Sequence, residues 1–106
     1  VDMARDKYFH DYVVYDVMGD MQGITSKAMF SGWGIYKNGV IFAIIIEGEL
    51  YFKAGKDATD FKNISGSHPF VYSRKDGKKI MMSYWLIPEE ILENKEKLYS
   101  LIKKRA

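Results

Sequence analysis

Asn38-Gly39 stands between two strand-like segments, Gly32–Tyr36 and the unbroken apolar run Val40–Ile46. Both central residues of a tight hairpin turn of this kind need positive φ, which Asn and Gly adopt most readily. This dipeptide therefore predicts an antiparallel pair more firmly than any other feature of the chain. Glu47-Gly48 separates Val40–Ile46 from Leu50–Ala54 in the same way, so residues 25–54 read as a meander. With a two-residue loop at Asn38-Gly39, Ile35 faces Phe42 and Gly34 faces Ala43. One sheet face then carries Trp33, Ile35, Phe42, Ile44 and Ile46, and the other carries Gly32, Gly34, Tyr36, Ile41, Ala43 and Ile45. The run Val40–Ile46 is apolar on both faces, so both need cover, helices on one side and further helices or a second subunit on the other. The shallow strip Gly32, Gly34, Ala43 predicts a helix pressed closely onto it, with a ligand groove as the alternative. Under a helix, Gly34→Val would cost ~1–3 kcal/mol by overpacking.

Helical signals flank this sheet. Residues 5–18 predict a helix ended by Gly19, with Tyr8, Tyr12 and Tyr15 along one side. Residues 57–64 predict a short helix with Asp57 as N-cap and Phe61 and Ile64 turned inward. A second hairpin, 70–74 with 79–87, closes around Asp76-Gly77; its two-residue register sets Lys75 opposite Lys78 and Arg74 opposite Lys79. Pro88, Glu89 and Glu90 then suit a helix start. Ile91, Leu92, Leu98, Leu101 and Ile102 form an apolar stripe, with Asn94 starting a second segment. The expected fold is α+β: an antiparallel sheet of about five to six strands, meander plus hairpin, between N- and C-terminal helices. The 106 residues suit one domain, expected over 1–106.

Composition removes several chemistries. There is no Cys, and the two His, His10 and His68, have no metal-binding spacing, so no disulfide, thiolate chemistry, metal or cofactor is expected. Gly32-Trp33-Gly34 lacks the third glycine of a dinucleotide fingerprint, and no phosphate-cradling loop ends in Lys-Ser/Thr. Ser31–Tyr36 partly matches an RNA-stacking strand but lacks its basic first residue and the alternation of strands with helices. No nucleophile context surrounds either His, so no catalytic residue is assigned. Val40–Ile46 is far short of the ~20 residues that cross a bilayer, and no secretory leader opens the chain; a cytoplasmic location is expected. Net charge is +2, but residues 1–26 hold five Asp against Arg5 and Lys7, leaving +5 on the remainder. The positive charge gathers in Arg74, Lys75, Lys78 and Lys79 and in the tail Lys103-Lys104-Arg105. These could hold a few phosphates but supply no base-reading helix, so at most weak, sequence-independent DNA binding is expected, ~10⁻⁴–10⁻⁶ M.

The run Met29-Phe30-Ser31-Gly32-Trp33-Gly34-Ile35-Tyr36-Lys37-Asn38-Gly39-Val40-Ile41-Phe42-Ala43 resembles the opening signature of the TfoX/Sxy family N-terminal domain. The likeness continues through Leu50-Tyr51-Phe52-Lys53, Pro69-Phe70-Val71-Tyr72, and Met82-Ser83-Tyr84-Trp85-Leu86-Ile87-Pro88-Glu89-Glu90-Ile91-Leu92, in family order. Ser31 stands for a usual Gly and Trp85 for a commoner Tyr. The resemblance implies a non-enzymatic, regulatory interaction domain. Full-length members regulate bacterial competence genes with the cyclic-AMP receptor protein, so transcription machinery is the implied protein partner, with a homodimer also possible on the need for cover. Their C-terminal helical domain is expected to be absent here. The candidate interaction surface is Trp33, Tyr36, Arg74, Lys75, Lys78, Lys79, Tyr84 and Trp85. A small-ligand or weak nucleic-acid-binding domain is the alternative reading.

Overall fold

The computed structural model describes residues 7–29, 32–54 and 58–103. Six strands follow in chain order: β1 (Ile24–Met29), β2 (Gly32–Lys37), β3 (Val40–Ile46), β4 (Glu49–Lys53), β5 (Pro69–Ser73) and β6 (Lys79–Leu86). They make one antiparallel sheet ordered β1-β2-β3-β4-β6-β5, so the meander and the hairpin join through β4 and β6. Asn38 (φ 52°) and Gly39 (φ 84°) close one two-residue turn, and Glu47 (φ 52°) and Gly48 (φ 75°) close another. The Asn38 N–H also donates to the Gly23 carbonyl at 2.9 Å, so the β2–β3 turn holds the start of β1.

The predicted register holds for only two rungs. Lys37 pairs with Val40 and Tyr36 with Ile41, but Ile35 then pairs with Ala43, Gly34 with Ile44 and Trp33 with Ile45. Phe42 is the extra residue of a β-bulge, which reverses the facing of everything beyond it on β3. Ala43 and Ile45 thus lie with Ile35 and Trp33, while Ile44 and Ile46 lie with Gly34 and Gly32. The bulge lets Phe42, Ala43 and Ile45 all reach the core, where each is buried, and Phe42 meets Phe52 edge-on at 5.5 Å.

The second hairpin also departs from expectation. Ser73 pairs with Lys79, and the Arg74 N–H donates to the Lys78 carbonyl at 2.7 Å, leaving Lys75-Asp76-Gly77 as a three-residue loop. Asp76 accepts from the Lys78 N–H at 3.0 Å, and Gly77 takes φ 88°. Such a loop ends in a left-handed glycine that matches strand twist. Arg74 therefore faces Lys78 instead of Lys79, and Lys75 lies in the loop.

The helices are α1 (Lys7–Asp11), α2 (Thr59–Lys62), α3 (Glu89–Leu92) and α4 (Lys95–Lys103), and α1 continues as a π-helical stretch, Tyr12–Val17. That stretch closes with the Met18 N–H on the Val13 carbonyl at 2.9 Å. Asp57 lies outside the described residues. Asn94 accepts from the Lys97 N–H at 3.2 Å and so starts α4, as expected. Val13, Val14, Val17 and Met18, Phe61 of α2, and Ile91, Leu92, Leu98, Leu101 and Ile102 all enter one cluster with Ile35, Phe42, Ala43, Ile45, Leu50 and Phe52. The buried apolar side chains of the described helices thus cover a single face.

None of the described helices presses on the glycine strip. A Cβ on Gly34 would meet Met29 Sδ at 2.6 Å, Ile41 Cδ1 at 3.2 Å and Tyr36 Cε1 at 3.3 Å, all side chains of the sheet itself. A Cβ on Gly32 would strike the backbone carbonyl of Ile45 on the neighbouring strand. Ala43 is on the opposite face. The strip is a close approach between strands roofed by sheet side chains, and the cost expected for Gly34→Val under a helix loses its basis.

Candidate interaction surface

Strand alternation puts Lys27, Tyr36, Ile41, Ile44, Tyr51, Lys53, Tyr84 and Leu86 together on the face that the helical cluster leaves alone. Ile44 (7% exposed) and Tyr51 (5%) are buried there without belonging to the core cluster. Aromatic neighbours do the covering: Tyr51 has Phe70 edge-on at 5.1 Å and His68 at 6.5 Å, and Phe70 stacks on Tyr72 at 6.4 Å. Lys27 Nζ lies 5.7 Å from the Tyr36 ring centroid, in cation–π range. The face is therefore a thin aromatic and aliphatic layer with cations at its margin.

Its hydroxyls are perturbed. Tyr51 donates to Glu49 Oε1 at 3.4 Å, and burial first, then the Glu49 charge, pushes its phenol up to about 12. Burial, then the nearby Tyr36, raises Tyr84 as well. Charge along β4 is polarised. Glu49 pairs with Ile46 beside the Glu47-Gly48 turn, whereas Lys53 pairs with Tyr84 toward the β5–β6 loop with its Arg74, Lys75, Lys78 and Lys79.

The structure divides the eight residues singled out from sequence into three places. Tyr36 and Tyr84 share the helix-free face. Trp33 and Trp85 point the other way, half-buried against the helical core: Trp33 stacks on His10 at 4.0 Å and Trp85 on Phe61 at 6.4 Å. Their size and apolarity are used in packing. Arg74, Lys75, Lys78 and Lys79 are exposed at the hairpin tip, with Arg74 paired to Asp76 at 3.4 Å.

One polar cluster had no sequence signal, because its members are 16 positions apart. His10 is 3% exposed; Nδ1 lies 2.8 Å from Asp11 Oδ1 and Nε2 2.7 Å from Ser26 Oγ. Hydroxyl, imidazole and carboxylate stand in the order of a nucleophile relay. The two contacts satisfy a buried imidazole and tie α1 to β1, and one ring face lies against Trp33. Among the described residues, no three His, Cys, Asp or Glu side chains gather to hold a metal, and no helix is long and apolar enough to cross a membrane. Tyr8, Tyr12 and Tyr15, set along one side by their spacing, are all exposed.

Sequence comparison relates the chain to known proteins. The sequence model of the TfoX N-terminal domain matches residues 16–105. Protein Sxy of Escherichia coli (strain K12) is 24% identical over 103 residues, covering 95% of this chain and 48% of that protein. The chain thus spans about half the length of the curated relative it matches.

Proposed function

The chain belongs to the TfoX N-terminal domain family, and on that premise we propose that it is a non-enzymatic, cytoplasmic interaction domain of a regulator, contacting protein through the helix-free face of its sheet. The observation that supports this most directly is the one-sided cover. Among the described residues every apolar helical stripe serves one face, and the other presents Tyr36, Ile41, Tyr84 and Leu86 over a buried Ile44 and Tyr51. Apolar surface left uncovered by other elements suits a contact site, and aromatic residues are enriched at interface centres. The family resemblance implies transcription machinery as the partner, with the cyclic-AMP receptor protein as the first to try. DNA contact is secondary. Arg74, Lys75, Lys78 and Lys79 sit on a loop beyond the sheet, where they can hold phosphates without reading bases.

The test is an anisotropy titration of the purified chain with purified cyclic-AMP receptor protein, for wild type and Tyr36→Glu. Binding that falls at least ~10-fold in the variant, with unchanged thermal melting, is the expected result. Equal binding by both proteins overturns the assignment of the face. Promoter and scrambled duplexes at ~150 mM salt should bind alike and weakly. Sub-micromolar preference for the promoter would make the domain a direct DNA reader.

A further inference from the structure

We infer that the helix-free sheet face is occupied by a second copy of this chain, packed face to face about a two-fold axis that crosses β4 at Tyr51. The inference rests on reading that face as an interaction surface and names its occupant. Glu49, Tyr51 and Lys53 lie on the same side of β4, two residues apart, with opposite charges at the two ends. Two ways of placing an in-plane axis are open to a face-to-face pair. An axis along the strands brings the two acidic β3–β4 turns, each with Glu47 and Glu49, to the same end. An axis across the strands at Tyr51 runs β4 antiparallel over its copy, so that each Glu49 faces a Lys53 and the pattern is self-complementary, as an isologous interface requires.

The dimensions agree. Six strands at ~4.8 Å spacing make a face roughly 29 Å wide, and a five-residue strand such as β4 runs about 17 Å. Two such faces cover on the order of 1,000 Å² in projection, and more once side-chain relief is counted, which reaches the threshold of a specific interface. Stacked sheets lie about 10 Å apart, a gap that Glu and Lys side chains reaching from both sides can span. Lys27 sits in the row of Gly34, Ile44 and Tyr51, so the two Lys27 meet at the edge of the contact. There they are exposed and screened, and each remains over its Tyr36 ring. The hairpin overhangs β4 at the Lys53 end, leaving Ile80 and the basic loop outside the contact.

Sedimentation equilibrium of the chain, with single and double charge reversals, tests this. Wild type should sediment at twice the 12.3 kDa chain mass in the micromolar range. Glu49→Lys alone and Lys53→Glu alone each place like charges opposite one another twice per dimer, and each should weaken association at least ~10-fold. The double variant Glu49→Lys with Lys53→Glu restores the pattern and should associate within ~3-fold of wild type. Both charged positions, Glu49 and Lys53, are exposed, and circular dichroism of each variant checks that it folds. A monomer at all concentrations overturns the inference, as does a dimer indifferent to the single reversals or one that the double reversal fails to rescue. Binding of the cyclic-AMP receptor protein through this face by a chain that stays monomeric would overturn the dimer while leaving the proposed function standing.

Discussion

The two faces of the sheet are both apolar, yet they are finished in different ways. On one, Phe42, Leu50 and Phe52 are sealed by side chains from every described helix. On the other, the described neighbours of Ile44 and Tyr51 come from the sheet itself and from His68 at the entry to β5, with Phe70, Tyr36 and Tyr84 lying half-exposed above or beside them. A core built from two layers is indifferent to what lies outside it. A face roofed by its own side chains remains available to a partner, and its stability should depend on whether one is present.

The sharpest way to break this contrast is to remove one large side chain from each face. Phe42→Ala opens a cavity in the two-layer core and should cost about 3–5 kcal/mol by chemical denaturation. Ile41→Ala, on the half-exposed face, should cost about 1 kcal/mol in dilute protein. Equal costs would mean that the second face is packed like the first.

The glycines of β2 sharpen the comparison next, within the helix-free face. Gly32→Ala drives a methyl into the Ile45 carbonyl, which cannot move without the ladder, and should cost about 3 kcal/mol. Gly34→Ala meets the far end of Met29, a flexible thioether that can swing aside, and should change stability by less than about 1 kcal/mol. Thermal melting of the pair decides it. If Gly34→Ala is as damaging as Gly32→Ala, the roof over this face is rigid and the surface is not adaptable.

These glycines also mark where sequence reading stopped. The turns Asn38-Gly39 and Glu47-Gly48 were legible because positive φ has a residue signature, and the sheet and helix layer follow from them. The bulge at Phe42 was not, because a bulge is chosen by what packs on the strand, and its extra residue looks like any other apolar position. That one residue moved Ala43 and Ile45 to the helical side and Ile44 to the other. The Trp pair and the Tyr pair of the candidate surface part by strand alternation alone, since Trp33 and Tyr36 on β2, and Tyr84 and Trp85 on β6, are an odd number of residues apart. Asp76-Gly77 was rightly read as a turn, but a third loop residue, fixed by the Asp76 carboxylate on the Lys78 amide, shifted the pairing of Arg74. The His10–Ser26 contact joins separate elements and leaves no local pattern at all.

High pH distinguishes the faces through Tyr51. Burial and Glu49 raise its phenol to about 12 from the ordinary 10. The folded state therefore keeps a proton that the unfolded chain gives up above pH 10. The contribution is complete below pH 10 and is lost as pH rises through about 12. Stability should fall over that window, and Tyr51→Phe should flatten the fall while the last-titrating tyrosinate absorbance disappears. An unchanged slope in Tyr51→Phe would place the sensitive hydroxyl elsewhere.

The smallest effect expected is a gain, at the acidic end of the helix-free face. Glu47 occupies the same left-handed position in its turn that Asn38 occupies in the other, with φ 52° in both. A side chain longer than Asn is disfavoured there by roughly 1 kcal/mol, since Asn can support the conformation with local hydrogen bonds. Glu47→Asn should therefore raise stability by about 0.5–1 kcal/mol, read as a rise in the denaturation midpoint at constant slope. The same change removes one of the charges that raise Tyr51, so its phenol should titrate slightly lower. A gain in stability together with weaker self-association would mean that the strained acid at this turn serves the surface and not the fold. Loss of stability would show instead that the Glu47 side chain supports the turn through contacts that outweigh its backbone strain.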